Sequence, residues 1–154
     1  MLESRLNEIE ELKSRATALR NRGLFERALT DLDRAIEALK SLREEKDLDS
    51  RLKIDVCAEL ADTYGMKGGI YRRLADEAKA DKTKAQEYKT KALTEYRKGL
   101  EIEKIDQQST YNLSNVITLE ITEEHIPPAD PEMRRMLDDA ITLNHPENSG
   151  GSLL

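Results

Sequence analysis

Apolar residues return at three- and four-residue steps along almost this whole chain, a period that belongs to amphipathic helices. Leu2, Leu6, Ile9, Leu12, Ala16 and Leu19 predict a helix over 2–21, and Gly23 behind Asn21-Arg22 offers the left-handed residue that ends one. Phe25, Ala28, Leu32, Ala35, Leu39 and Leu42 predict a second over about 24–45. "DLDS" at 47–50 supplies Asp and Ser N-caps for a third.

That third helix poses a problem. "YGMKGGIYRR" carries Gly65, Gly68 and Gly69, and each glycine inside a helix costs roughly 1 kcal/mol against alanine. The stripe nevertheless runs from Leu52, Val56, Leu60 and Tyr64 through Gly68, Tyr71 and Ala75 without losing phase. One helix of about 50–78 is therefore expected, with a break at "GMKGG" as the alternative. A turn near "KADKT" leads to a fourth helix over 83–105, and "DQQSTYNLSNVITLEI" gives a fifth over 107–121. "HIPPADP" interrupts the chain, Asp130-Pro131 restarts it, and a sixth helix is expected over 132–143. The helical domain is thus 1–143, and 144–154 reads as a flexible tail or linker.

Composition sets the limits on chemistry. With 36% charged residues, Trp 0 and Phe 1, the core must be built from Leu, Ile, Ala and Tyr. Cys57 cannot form an internal disulfide by itself, and its place on an apolar stripe points to packing. No apolar run nears the roughly 20 residues a bilayer demands, and charges interrupt the N-terminal segment too often for a signal peptide. A cytoplasmic location is expected, with no membrane contact. His125 and His145 stand alone, Ser109 and Ser114 have no base nearby in sequence, and no phosphate loop or dinucleotide fingerprint occurs. No enzyme activity, metal or cofactor is expected. The net charge of −6 and the absence of a recognition motif argue against nucleic acid. Residues 67–98 form a basic band between acidic ends, readable as a docking surface or as a solvated, charge-laced face.

"GLFERALTDLDRAIE" at 23–37 resembles the second half of a tetratricopeptide repeat (TPR): Gly23 in the turn, Phe25 behind it, and Ala28, Leu32 and Ala35 as a small-large-small stripe. "ALTEYRKGL" at 92–100 and "MRRMLDDAI" at 133–141 repeat that spacing. Tyr64, Gly68, Tyr71 and Ala75, then "YNLSN" at 111–115, resemble first helices, with Ala16, Gly68 and Ser114 as the small crossing residues. Those three are 52 and 46 residues apart against about 34 in an ordinary repeat, which predicts lengthened helices. Lys67 departs from the pattern, standing where leucine is usual. The resemblance implies an all-α, right-handed stack of three antiparallel helix pairs. "GGIYRR" and "YNLSN" together also resemble TPR segments of bacterial multidomain signalling or defence proteins.

The same resemblance implies a concave groove lined by first helices, and hence a protein-interaction module or adaptor. Its groove positions here are Glu10, Lys13, Thr17, Arg20 and Asn21; then Asp62, Gly65, Gly69, Arg72 and Arg73; then Gln108, Tyr111, Asn115 and Thr118. Lys13, Arg20, Arg72 and Arg73 would make the groove basic and suited to an acidic peptide or helix, since arginine holds carboxylates through paired hydrogen bonds. Gly65 and Gly69, one turn apart, would pave a flat strip for a ligand backbone, or else serve a kink or helix packing. Gly68 would serve packing alone. The carboxylate clamp of chaperone-binding TPR proteins maps to Lys13, Thr17, Met66, Gln108 and Asn112, and only Lys13 keeps the expected type. The second functional reading is homo-oligomerisation through the Leu2/Leu6/Ile9 stripe, which has no preceding helix to cover it, with packing of that stripe against the second helix as the alternative.

Overall fold

The computed structural model describes residues 2–106 and 111–124, and among these every regular element is helical: α1 (Leu2–Asn21), α2 (Phe25–Arg43), α3 (Ser50–Glu77), α4 (Lys82–Asp106) and α5 (Tyr111–Glu124). The expected sixth helix, the tail and residues 107–110 lie outside the described residues. Each helix packs on the next, and α3 also touches α5. The extra repeat length sits in the helices, with α3 at 28 residues and α4 at 25, as the spacing of Ala16, Gly68 and Ser114 predicts.

Local chemistry explains where the helices stop. Gly23 has φ +79, its N–H donates to Arg20 O at 2.9 Å, and the N–H of Leu24 donates to Leu19 O at 2.9 Å. These two bonds close a Schellman motif, and Leu24 packs on the cluster that contains Leu19. Asp49 caps α3 by accepting the Leu52 N–H at 2.8 Å, and Asp81 accepts the Lys84 N–H at 3.1 Å ahead of α4.

α3 runs unbroken across its glycines. Gly68 is needed because a Cβ there would stand 2.7 Å from the buried Tyr96 ring of α4. Gly99 on α4 is a second crossing, where a Cβ would collide with the Asn112 side chain and stand 3.0 Å from the Ala61 carbonyl oxygen.

The core falls into three clusters. Ile9, Ala35, Ile36, Leu39, Leu42, Val56 and Leu60 fill one end of the α1–α2–α3 seam. Ala16, Leu19, Phe25, Ala28, Leu32 and Ile70 fill the other. Ala92, Tyr96, Leu100, Leu113, Val116 and Leu119 join α4 to α5. Ile9 is only 3% exposed, and Leu2 and Leu6 pack half-buried on the first cluster. The N-terminal stripe therefore packs within the chain, the alternative to self-association that its sequence also allows.

Lys67 solves its misplaced charge with partners. Its side chain is 12% exposed, and the ammonium bridges Asp33 of α2 at 2.8 Å and Glu95 of α4 at 3.1 Å. Burial pulls its pKa down, but hydrogen bonds and charge from Asp33 and Glu95 outweigh that and raise it.

Candidate interaction face on α1, α3 and α5

Ion pairs and core packing fix the direction of the helices. Arg5–Glu45 and Arg15–Asp31 make α1 and α2 antiparallel, and α2 and α3 are antiparallel because Leu39 and Leu42 cluster with Val56 and Leu60 while Ala28 and Leu32 cluster with Ile70. Hence α1 and α3 run parallel, and Lys13 stitches them together. Its ammonium meets Glu59 at 2.5 Å and Asp62 at 2.7 Å, both on α3. Burial works to lower the Lys13 pKa, while the bonds to Asp62 and Glu59 overcome it and raise the value.

This pairing corrects the expected electrostatics. Lys13 is only 14% exposed and is outnumbered by its two carboxylates, whose side chains are 53% and 57% exposed. With exposed Glu10 beside them, this part of the face is acidic, although the sequence counts Lys13 toward a basic groove. Thr17 is half-buried, its hydroxyl donating to Lys13 O of its own helix at 3.1 Å.

The basic part lies farther along the same helices. The half-buried Arg20 donates to Asn21 Oδ1 at 3.3 and 3.2 Å. Half-buried Arg72 donates to Asn115 Oδ1 at 2.7 Å and so links α3 to α5. Arg73 is exposed, its guanidinium 5.6 Å from the centre of the Phe25 ring. None of these three arginines pairs with a carboxylate among the described residues. On α5, exposed Thr118 donates to Ser114 O at 2.8 Å. Gln108 and the side chain of Tyr111 lie outside the described residues.

Gly65 is buried and Gly69 half-buried, so the strip expected from the two is not open along its length. Asn112, mapped from sequence to a clamp position, is buried and structural. Its Nδ2 donates to Ala61 O at 2.9 Å and to Glu103 Oε2 at 2.6 Å. Glu103 also accepts the N–H of Asn112 and of Leu113, placing negative charge on the orphan amides that open α5. Sequence reading misses Glu103 because nothing local distinguishes it from the other carboxylates of α4. Among the described residues, no group of three or more His, Cys, Asp or Glu is placed to hold a metal ion.

The description "Tetratricopeptide Repeats-Sensor" (TPR-S) belongs to the family that matches residues 2–120. The chain is a member of the TPR-S family. No curated protein and no solved structure matches it. TPR-type domains are in general protein–protein interaction modules. Membership fits the glycine turn, the Phe25 anchor and the small residues at Ala16 and Gly68, while two clamp positions of this TPR-S chain, Lys13 and Asn112, are engaged by its own side chains. Among the described residues, no helix is long and apolar enough to cross a membrane.

Proposed function

We propose that this TPR-S chain is a non-catalytic adaptor that docks a partner protein's acidic segment against α1, α3 and α5. In this reading the chain is a right-handed stack of three helix pairs working in the cytoplasm within a bacterial signalling or defence complex. It uses no cofactor, metal or nucleic acid. The supporting observation is that Arg20, Arg72 and Arg73, toward the C-terminal ends of the parallel α1 and α3, have no carboxylate partner among the described residues. Guanidiniums so held can receive a carboxylate through paired hydrogen bonds. Self-association through Leu2, Leu6 and Ile9 is the weaker reading, because those side chains already pack on α2 and α3.

Affinity capture tests the adaptor reading when the parent chain is compared with an Arg72→Glu/Arg73→Glu variant of matched melting temperature. A partner recovered by the parent and lost with the variant is expected. An unchanged catch moves the interface elsewhere, and turnover of any substrate by the purified chain replaces the reading altogether. Sedimentation at several concentrations checks self-association, for which the apparent mass must rise with concentration.

A further inference from the structure

The interaction face is charged at both ends, with opposite signs. Lys13 is enclosed by Glu59 and Asp62, and Glu10 stands one turn before it on α1. Three carboxylates and one ammonium make that end net negative. Arg20 on α1 and Arg72 and Arg73 on α3 form the other end. Asp76, one turn further on, sets one carboxylate against three guanidiniums, so this end stays net positive. Because α1 and α3 are parallel, their polarities add instead of cancelling.

The spacing agrees on both helices. Glu10 to Arg20 is ten residues, and so is Asp62 to Arg72. At 1.5 Å per residue the sign changes over roughly 15 Å, close to three helical turns. That distance is about twice the ~8 Å screening length at physiological salt, so each end acts on its own part of a ligand. A uniformly acidic segment would gain at Arg20 and Arg72 and be repelled at Glu10, Glu59 and Asp62. Like-charge contacts of that kind are a main source of discrimination between partners.

We propose that the occupant is a helical segment of a partner protein carrying a cationic block and an anionic block about three turns apart. The anionic block lies against Arg20, Arg72 and Arg73, and the cationic block against Glu10, Glu59 and Asp62. A helix whose C-terminal end carries the acidic block gains further, since its dipole places negative charge toward the arginines. This inference rests on the docking reading above and narrows it from an acidic ligand to a bipolar one.

The test is selection of displayed random peptides of about twenty residues, long enough for more than five helical turns, against the whole chain. Recovered peptides are expected to carry Lys/Arg and Asp/Glu in separate blocks. Binding of a recovered peptide should fall about tenfold with Glu10→Gln/Asp62→Asn and about tenfold with Arg20→Gln/Arg72→Gln. The acid-end pair leaves Glu59 on Lys13, which guards against loss of the fold, and circular dichroism checks helix content in both. Peptides that are acidic throughout and indifferent to Glu10→Gln/Asp62→Asn overturn the bipolar ligand while leaving docking intact. Peptides indifferent to both variants, or no recovered peptides at all, overturn docking and the inference together.

Discussion

The α1–α2–α3 seam and the α3–α4–α5 seam solve the same packing problem with different materials. The first is filled by Leu, Ile, Ala and Phe25, and its one buried carboxylate, Asp31, reaches out to the exposed Arg15. The second holds Glu95, Glu103 and Asn112, three of the five buried polar residues among those described. It also has both close crossings, Gly68 on Tyr96 and Gly99 on Asn112. An apolar seam depends on volume, whereas a polar seam depends on each group keeping its partner. The two should therefore fail differently.

The largest loss belongs to the first seam. Leu39 is fully buried, and Leu39→Ala should cost about 3 kcal/mol through lost transfer energy and an unfilled cavity, read by chemical denaturation. No second substitution in a polar partner should restore it. Lys67→Leu, which places the family's usual residue at that position, should cost about 2 kcal/mol instead of stabilising. It strands Glu95, whose side chain is 7% exposed and whose Oε2 already lacks a hydrogen bond among the described residues. Lys98 at 3.4 Å still offers partial compensation, which keeps the loss below that of a fully orphaned charge. Adding Glu95→Gln should recover most of the loss. If Glu95→Gln had the same effect in the parent chain and in the Lys67→Leu variant, the distinction between the seams would disappear.

Gly68→Ala comes next, at about 1 kcal/mol net. Alanine gains roughly 1 kcal/mol of helix propensity, but crowding a buried ring by a methyl costs about 1–3 kcal/mol. The loss should shrink in a Tyr96→Leu background, where the ring that meets the Cβ is gone. A stabilised Gly68→Ala protein in thermal melting would mean that α3 and α4 stand farther apart than the crossing implies.

Legibility followed the same division. The apolar seam could be read from sequence because Leu32, Leu39 and their neighbours announce themselves by period, and Gly23 by its place after the stripe. The continuity of α3 was legible too, since the stripe kept phase through Gly65, Gly68 and Gly69. The polar seam was not. Lys67 looked like a defect in a repeat because its partners, Asp33 and Glu95, sit 34 and 28 residues away on other helices. Asn112 could be mapped only to a clamp position of the family, because the Glu103 and Ala61 groups that hold it are brought to it by the α3–α4–α5 register. The site was half legible for the same reason. The family resemblance placed Lys13, Arg20 and Arg72 on the groove face, but the carboxylates that cancel Lys13 lie 46 and 49 residues along the chain.

The smallest expected effect sharpens the comparison at the buried carboxylate of the apolar seam, Asp31. Arg15 holds its carboxylate through two hydrogen bonds of 2.7 Å, and this, with help from the charges of Arg15, Arg34 and Arg27 against the cost of burial, keeps its pKa below the ordinary 3.8. A depressed carboxyl binds protons more readily when unfolded, so its stabilisation is complete above about pH 4 and is lost as pH falls through the lower folded value. Arg15→Ala should therefore lower the melting temperature slightly at neutral pH, by an amount that stays constant down to about pH 4 and then closes toward zero. Arg15 itself reaches into solvent, so the gap at neutral pH should also narrow in high salt. A gap that persists unchanged at pH 2 would mean that Arg15 contributes through its packed stem instead of its charge, and that even this polar pair obeys the volume rule of its seam.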